Sequence, residues 1–306
     1  MAGESVLVSV EERTLKLSNL TKVLYPETGF TKAEVIDYYT RIAPVMLPHL
    51  RDRAATRKRF PNGVEAADFF EKNAPSHTPD WVRTEELPTP GSTLGREMLR
   101  FVVVDDLPTL VWLANLAALE LHIPQWRVLP GCEVHDPDLV VFDLDPGAPA
   151  TIVQCCEVAL LLRDALAADG FEACVKTSGR KGMQLYVPVA ETPAEQTSAY
   201  AKALAARLER EHPKLVVSRM AKNLRKGKVF IDWSQNNAFK TTVAPYSLRA
   251  GSEPTVSTPV SWAEVADCRT PSDLRFLAED VIDRVEERGN LLDPLLETSR
   301  QRLPTP

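Results

Sequence analysis

The chain lacks the features that mark membrane, secreted and low-complexity proteins. Its 306 residues include no run near the ~18 uninterrupted apolar residues of a transmembrane helix. The first dozen residues contain acids and no apolar segment of the kind found in a signal peptide. The five cysteines include no CxxC pair, which predicts buried free thiols instead of a disulfide framework. No internal repeat is present. We therefore expect a globular cytoplasmic protein with no membrane partner.

An excess of basic residues, which is usual in nucleic-acid-binding proteins, is also missing. The formal net charge is −6 and the isoelectric point is near 5.5, which taken alone argues against a nucleic-acid partner. The charges are unevenly distributed, however. Arg51–Arg59 has five basic residues and one acid, Lys214–Lys228 has six basic residues and no acid, and 251–306 has eleven acids and six arginines. The two basic stretches could contact phosphate groups.

Hydrophobic periodicity and capping signals predict a mixture of helices and strands. The predicted elements are a helix opened by the capping box Thr31–Glu34, an apolar helix from Pro108 through Leu119, a strand at Leu139–Leu144, a helix from Pro149 to about Ala168, strands at Phe171–Thr177 and Met183–Val189, a helix from the capping box Thr192–Glu195 to about Glu211, strands at Lys228–Trp233 and Thr241–Leu248, and short helices from Ser261 and from Ser272 to Glu287. The order of elements between 139 and 233 indicates a ferredoxin-like split unit. We predict α+β lobes around one cleft.

Two acids at the end of a predicted strand are the first chemical signal. Asp143 and Asp145, in FDLDPG, alternate with apolar residues and therefore point to the same face. Two carboxylates this close repel each other unless a cation lies between them, and Mg²⁺ or Mn²⁺ prefers such oxygen ligands. The alternative is a solvated strand edge followed by a turn.

A third acid, Asp232, stands alone in the apolar strand KVFIDW. A half-buried carboxylate is unfavourable unless it is paired or binds a metal. With Asp143 and Asp145 it would complete the minimal ligand set of a two-metal nucleotidyl-transfer site. The alternative is an exposed acid paired with Lys228 or Lys240.

The third signal is the loop TSGRKG between two predicted strands. Its two glycines would let the backbone approach a ligand, and Ser178, the loop amides, Arg180 and Lys181 could bind phosphate. The alternative is a solvated hairpin turn.

These motifs resemble a known family. FDLDPG, TSGRKGMQLY and KVFIDWSQNNAFKTTVAPYSLR, together with LSNLTKVLYPETGFTKAEVIDYY, ATRKRFPNGVEAADFFEKN and ALELHIPQWR, resemble the polymerase domain of bacterial DNA ligase D. That domain belongs to the archaeo-eukaryotic primase-polymerase superfamily and serves non-homologous end joining. The resemblance implies a primase-polymerase fold, with two β-sheet lobes flanked by helices around a central catalytic cleft.

The resemblance covers nearly the whole chain, so we expect one catalytic domain over 1–306. Within it, about 1–135 would carry the 5′-phosphate and DNA-binding elements, about 136–250 the catalytic core, and about 251–306 a helical acidic tail. The chain contains no ATP-dependent ligase or phosphoesterase region, and we expect a stand-alone protein associated with the bacterial nucleoid.

The resemblance also implies a role for each matched residue. Asp143, Asp145 and Asp232 would be catalytic and bind two divalent ions, Mn²⁺ or Mg²⁺. The implied nucleotide-site residues are Ser178, Lys181, Gln184, His122, Lys58, Gln235 and Arg249. The implied 5′-phosphate pocket consists of Asn19, Lys22 and Lys32, and Phe69 and Phe70 would stack on DNA bases.

Several of these residues have a plainer interpretation. Lys22 and Lys32 could be solvated surface charges, and His122 a satisfied core histidine. Phe69 and Phe70 would usually be core residues, although neighbours in an extended chain cannot both face inward. In the basic stretch before Asp232, we expect Lys222 and Arg225 to contact DNA or template phosphates, and the alternative is a solvated face.

One residue departs from the family pattern. Histidine usually occupies the position of Gln184, and glutamine can donate a hydrogen bond but cannot become cationic. We hypothesise weakened nucleotide binding or an altered metal preference with activity retained, to be tested by comparing primer extension by the wild type and Gln184→His.

The leading hypothesis is a template-directed nucleotidyltransferase of the end-joining type. It would add nucleotides, preferentially ribonucleotides as the resemblance implies, to 3′-hydroxyl ends at gaps or breaks with a downstream 5′-phosphate. Implied partners are DNA, nucleoside triphosphates, Ku and a separate ligase. The second hypothesis is a DNA-end-binding module with weakened or lost polymerase activity. A phosphohydrolase would leave Asp232 and the TSGRKG loop unexplained.

Overall fold

A computed structural model describes residues 5–89, 97–297 and 300–304. The strands are Ser5–Val10 (β1), Arg13–Ser18 (β2), Val23–Tyr25 (β3), Phe30–Thr31 (β4), Ala54–Arg59 (β5), Phe69–Glu71 (β6), Thr84–Pro88 (β7), Met98–Val103 (β8), Ala118–Ile123 (β9), Val128–Leu129 (β10), Glu133–Val134 (β11), Leu139–Pro146 (β12), Cys174–Thr177 (β13), Met183–Pro188 (β14), Val216–Val217 (β15), Val229–Asp232 (β16), Thr242–Val243 (β17), Leu248–Arg249 (β18), Thr255–Val256 (β19) and Pro259–Val260 (β20). The α-helices are Lys32–Leu50 (α1), Leu107–Asn115 (α2), Ile152–Ala168 (α3), Ala194–Glu211 (α4), Trp262–Asp267 (α5) and Ala278–Arg288 (α6).

The central sheet has the strand order β15-β16-β12-β14-β13-β20. Its four inner strands are mutually antiparallel, and α3 and α4 connect them in the order of a split βαββαβ unit, as the sequence predicts. Val140, Phe142 and Leu144 of β12 pack into one core with buried residues of α3 and α4. Because strand side chains alternate, Asp143 and Asp145 lie on the opposite face of β12.

The second sheet has the order β17-β9-β5-β8-β7, and β6 pairs with β5. Buried residues of α1 and α2 form one core with Ala118, Leu119 and Leu121 of β9. The predicted capping box of α1 is present, since Thr31 and Glu34 exchange hydrogen bonds between side chains and backbone. The two sheets and their helices confirm the α+β prediction.

The predicted apolar helix is too long. It ends at Asn115, Ala117 adopts a positive φ of 58°, and the chain then forms β9. Buried strands have continuous apolar runs that periodicity does not separate from buried helices. Leu119 and His122 are therefore strand residues of the second sheet.

Three other boundaries differ from the prediction. The Thr192 capping box does not form, because Thr192 Oγ1 donates to the Ala190 carbonyl oxygen and Pro193 precedes α4 without a side-chain cap. Residues 241–248 contain two short strands in different sheets, β17 and the start of β18. The last helix begins after Leu277 instead of Ser272, and a short 3₁₀ turn precedes it. These local signals yield to tertiary pairing.

The segment 251–306 is not simply a helical tail. It supplies β19, which pairs with β18, and β20, which forms one edge of the central sheet. Its helix α5 begins directly after the predicted cap Ser261, and Gly289 follows the end of α6 at Arg288 as the predicted stop.

All five cysteines are free. Four are buried as the sequence predicts, whereas Cys132 is exposed, contrary to that prediction. Within the described ranges, no helix combines the length and apolar character needed to cross a membrane.

Candidate active site

The three aspartates meet at neighbouring positions of β12 and β16. The antiparallel register places Asp143 directly opposite Asp232, and Asp145 lies two residues further along the same face of β12. Directly opposed residues have Cβ atoms about 5 Å apart. The structure thus brings together the three acids that the sequence selects.

Burial and mutual repulsion act on these carboxylates. Burial, followed by the charge of Asp145, raises the pKa of Asp143, and the hydrogen bond from Gln184 only partly opposes this. Burial and the charge of Asp232 likewise raise the pKa of Asp145. A divalent cation would relieve this repulsion and suits an all-oxygen donor set. The residues present therefore fit a divalent metal site.

The side chains of this site do not surround one common metal position. Over 5–89, 97–297 and 300–304, no three His, Cys, Asp or Glu side chains are arranged to hold a metal together. Asp232 has other hydrogen bonds: Oδ1 accepts from the backbone N–H and hydroxyl of Ser234, and Oδ2 accepts from Gln235 Nε2 at 2.9 Å. It does not pair with Lys228 or Lys240, whose amino groups contact Pro213 and Ser234 respectively. Asp232 Oδ2 accepts the one hydrogen bond from Gln235 and so keeps a lone pair that could face an ion.

A cleft of about 730 Å³ opens beside these acids. It is bounded by the central sheet, the second sheet and the segment after β18. Among the residues that the sequence selects, those lining it are His122, Asp143, Asp145, Ser178, Arg180, Lys181, Gln184, Gln235 and Arg249. Asp232 lies behind Gln235, and Lys58 does not line the cleft.

The TSGRKG loop forms one wall of the cleft. Ser178 Oγ accepts hydrogen bonds from the backbone N–H groups of Arg180 and Gly182, at 3.3 and 3.2 Å. Its hydroxyl proton remains available to an incoming acceptor. Two of the loop amides, those of Arg180 and Gly182, therefore donate to Ser178. Lys181 is exposed.

The two glycines of this loop pack against the protein itself. Gly179 has a positive φ of 69°, and a Cβ there would collide with Arg249 and Val256. A Cβ on Gly182 would collide with the carbonyl oxygen of Leu144. The glycines thus allow the loop to approach β12 and β19.

Glu120 is a buried hub that the motif analysis missed. It is 2% exposed, and its carboxylate accepts from His122 Nε2 at 3.0 Å, from an Arg180 guanidinium N–H at 3.1 Å and from the Ala250 N–H at 3.0 Å. Arg249 lies 3.6 Å away as a further ion-pair partner. Glu120 therefore positions four groups of the cleft wall. The alternation in LELHI, which places Glu120 beside His122, was the available signal.

His122 and the phenylalanines occupy the strands next to Glu120. Burial lowers the pKa of His122 despite the opposing effect of Glu120. Phe70 packs edge-on against His122, with ring centroids 5.9 Å apart. Phe69 and Phe70 are 50% and 56% exposed, so neither is a core residue. Lys58 forms an ion pair with Asp68 at 3.2 Å.

The predicted 5′-phosphate residues form a separate cluster. Lys32 follows the β3–β4 hairpin and its backbone N–H donates to the Lys22 carbonyl oxygen, while Asn19 accepts from the Lys22 N–H. Lys22 Nζ contacts Asn62 Oδ1, and Lys32 Nζ contacts the Ser18 carbonyl oxygen. Neither lysine has a carboxylate partner in the part of the chain that the structure describes. The cluster is suited to an anion.

Lys222 and Arg225 differ in their surroundings. Lys222 is exposed on a short 3₁₀ turn. Arg225 is half-buried, lies over the Phe230 ring at 3.6 Å and donates to the Met220 carbonyl oxygen. Its charge lowers the pKa of Asp145 against the larger effect of burial. Arg225 thus acts electrostatically on the carboxylates.

Comparison with known proteins agrees with this geometry. The family model described as LigD, primase-polymerase domain, matches residues 31–292. The multifunctional non-homologous end joining protein LigD of Mycolicibacterium smegmatis is 46% identical over 283 residues, which is 92% of this chain and 36% of that protein. The bifunctional LigD of Bacillus subtilis is 32% identical over 278 residues, which is 90% of this chain and 43% of that protein. The chain thus spans less than half the length of these relatives.

A solved structure shows the same fold. The polymerase domain of Mycobacterium tuberculosis Ligase D, solved in complex with DNA, matches with a TM-score of 0.88 at 42% identity, covering 94% of this chain and 100% of that chain. This confirms the primase-polymerase fold. From the extent of these matches, the chain belongs to the LigD primase-polymerase domain family.

Proposed function

We propose that the protein is a metal-dependent, template-directed nucleotidyltransferase that extends 3′-hydroxyl ends during end joining. The observation that carries this proposal is the position of Asp143 opposite Asp232, with Asp145 on the same face, at a cleft that also contains Ser178 and Lys181. Acids that would hold divalent ions and groups that would hold phosphates thus lie around one space. This is the donor set that nucleotidyl transfer requires.

The carboxylates would hold two divalent ions, Mn²⁺ or Mg²⁺. Bound there, the ions would favour deprotonation of the attacking 3′-hydroxyl and offset the charge of the leaving pyrophosphate. Asp143 and Asp145 line the cleft, and Asp232 would supply a third carboxylate through Oδ2, which accepts one hydrogen bond from Gln235. The protein's own contribution is positioning and charge, without a covalent intermediate.

The opposite wall of the cleft would bind the triphosphate. Lys181 is exposed and carries an unshared positive charge, and the Ser178 hydroxyl has a proton to donate. Arg249 shares its charge with Glu120, and its Nε has no hydrogen-bond partner among the described residues. These groups would orient the α-phosphate toward the 3′-hydroxyl. We also propose that ribonucleotides are used in preference to deoxyribonucleotides.

Incorporation on a defined substrate tests this function. We expect addition of nucleotides to a primer across a gap with a 5′-phosphate, with Mn²⁺ or Mg²⁺ present and with ribonucleotides used in preference to deoxyribonucleotides. Each nucleotide set and each metal are run side by side, and binding to the same DNA is measured in parallel. Binding without incorporation in either metal would instead support the DNA-end-binding module. Addition of Ku and a ligase would then test those partners.

The cluster around Lys32 would bind the downstream 5′-phosphate. Lys32 is 5% exposed, and burial, followed by the charges of Lys22 and Arg59, lowers its pKa from 10.5 to about 8. A phosphate dianion would offset these positive charges and favours the protonated lysine. Asn19 and Lys22 would provide further contacts at the end of the β3–β4 hairpin.

We expect the affinity gained from a 5′-phosphate to fall about tenfold between pH 7 and pH 9, because Lys32 loses its proton as the pH rises through about 8. Fluorescence anisotropy with gapped DNA, with and without the phosphate, measures this gain at each pH. Lys32→Met should abolish both the gain and its pH dependence, while Lys16→Met, an exposed lysine of β2, should preserve them. A gain that is equal at both pH values in the wild type would contradict the assignment.

A further inference from the structure

A row of side chains crosses the central sheet from the carboxylates to β13. Asp143 pairs with Asp232 on one side and with Gln184 of β14 on the other. Gln184 in turn pairs with Lys176 of β13. Paired positions of antiparallel strands share a face and lie within reach of each other. Only the Gln184 side chain therefore separates Lys176 from Asp143.

Lys176 is buried without an ionic partner. It is 0% exposed, and its Nζ donates to Gln184 Oε1 at 2.7 Å and to Ser257 Oγ at 2.6 Å. The Ser257 hydroxyl donates to the Thr177 carbonyl oxygen at 3.0 Å, so it is an acceptor toward Lys176. No carboxylate forms an ion pair with Lys176 within 5–89, 97–297 and 300–304. Burying a lysine in this way opposes folding, which points to a role other than stability.

The contact with Lys176 determines the orientation of the Gln184 amide. A lysine amino group offers N–H donors, so the Gln184 atom that faces it is the acceptor Oε1. The amide nitrogen Nε2 then faces the other neighbour, Asp143, whose position directly opposite Gln184 puts its carboxylate within reach. The Tyr186 hydroxyl, 3.1 Å from Oε1, lies on the same side as Lys176. The donor chain therefore runs from Lys176 through Gln184 to Asp143.

We propose that Lys176 is a positioning residue for the metal-binding carboxylates, which acts by holding the Gln184 amide so that Nε2 donates to Asp143. The proposal rests on the metal site of the proposed function and adds a residue to it. Lys176 touches none of the three acids and acts only through Gln184.

Gln184 can donate to Asp143 in only one of the two orientations of its amide. Without Lys176, the Tyr186 hydroxyl would still lie 3.1 Å from Oε1, but it also contacts Thr242 Oγ1 at 2.8 Å. The amide could then turn by half a rotation and place Oε1 against the carboxylate oxygens of Asp143. The carboxylate would then rotate away from the position that faces the cleft. Partners behind a metal ligand commonly change metal affinity or activity by about 10- to 100-fold when removed.

Mn²⁺ binding in the absence of DNA and nucleotide tests the proposal. Electron paramagnetic resonance of free Mn²⁺ measures the affinity of the full chain, and we expect Lys176→Met to weaken it about tenfold. The direction of the change in Mn²⁺ affinity separates a positioning role of Lys176 from a purely electrostatic one. Removal of a nearby positive charge would by itself strengthen cation binding. Tighter or unchanged Mn²⁺ binding by Lys176→Met would overturn the positioning role.

A double-mutant cycle shows whether Lys176 acts through Gln184. Gln184→Met, which removes both the acceptor and the donor, should weaken Mn²⁺ binding by a similar factor. In that background, Lys176→Met should cause no further loss, because the two residues act as one unit. A further tenfold loss would overturn the proposal. If Lys176→Met does not fold, as judged by circular dichroism, unchanged Mn²⁺ affinity of Gln184→Met overturns it independently.

Mn²⁺ binding and nucleotide incorporation, measured together, distinguish the role of Lys176 from the proposed polymerase function. A wild-type protein that binds Mn²⁺ but does not incorporate nucleotides would contradict the polymerase proposal and leave the role of Lys176 open to the cycle above. A wild-type protein that binds no Mn²⁺ would contradict both. Full incorporation together with unchanged Mn²⁺ affinity in both variants would overturn only the role of Lys176.

Discussion

Asp232→Asn should lower nucleotide incorporation by about a thousandfold while leaving DNA affinity within about twofold. Asparagine keeps the size of the side chain and can retain the contacts with Ser234, but it removes the negative charge opposite Asp143. The remaining acids would hold divalent ions poorly, because charge and ligand number set their affinity. The DNA contacts that we propose lie elsewhere, at the Lys32 cluster and the basic stretches, so binding should persist.

The measurement pairs single-turnover primer extension with anisotropy on the same gapped DNA. Asp143→Ala should behave in the same way as Asp232→Asn. Asp164→Asn serves as the matched control, because Asp164 lies exposed on α3 and pairs only with its neighbour Arg163. Primer extension by Asp232→Asn at a rate near that of the control would contradict the assignment of Asp232 as a metal ligand.

Glu120→Gln should lower the free energy of unfolding by about 3 kcal/mol at pH 7. Burial alone raises the pKa of Glu120, but the hydrogen bond from His122 and the charge of Arg249 outweigh it and lower the pKa from 4.5 to about 2. Glutamine lacks the charge and can accept through only one oxygen. Arg249 and Arg180 would then lose their shared carboxylate, and the KM for nucleotide should rise.

The pH dependence of this effect has a defined sign. A carboxylate with a depressed native pKa stabilises the fold above its unfolded pKa of 4.5, and the contribution disappears as the pH falls toward 2. The stability difference between wild type and Glu120→Gln should therefore be constant from pH 7 to about 5 and shrink below that. Urea unfolding across this range measures it.

Glu279→Gln is the matched control for the Glu120 experiment. Glu279 also contacts an arginine, Arg41, but both side chains are largely solvent-exposed, and such surface pairs contribute little. We expect the Glu279→Gln protein to resemble the wild type at every pH. If Glu120→Gln lowers the free energy of unfolding no more than this control does, Glu120 is not needed for stability.

The strand acids and the order of elements were predictable because their signals are local. Alternation places Asp143 and Asp145 on one face of β12, and the apolar strand around Asp232 makes that acid conspicuous. The same argument applies to Lys176, a single lysine in a buried strand. The helix predicted through Leu119 failed because a buried strand and a buried helix have the same composition.

The sequence by itself determined the α+β class, the split βαββαβ unit and the three carboxylates, since each follows from periodicity or from one residue in a short segment. Only the tertiary structure decided which side chains face one another across strands. It paired Asp143 with Asp232 and Gln184, made Glu120 the shared partner of Arg180 and Arg249, and turned the loop amides toward Ser178. Contacts between distant segments depend on register and packing, which no local pattern encodes.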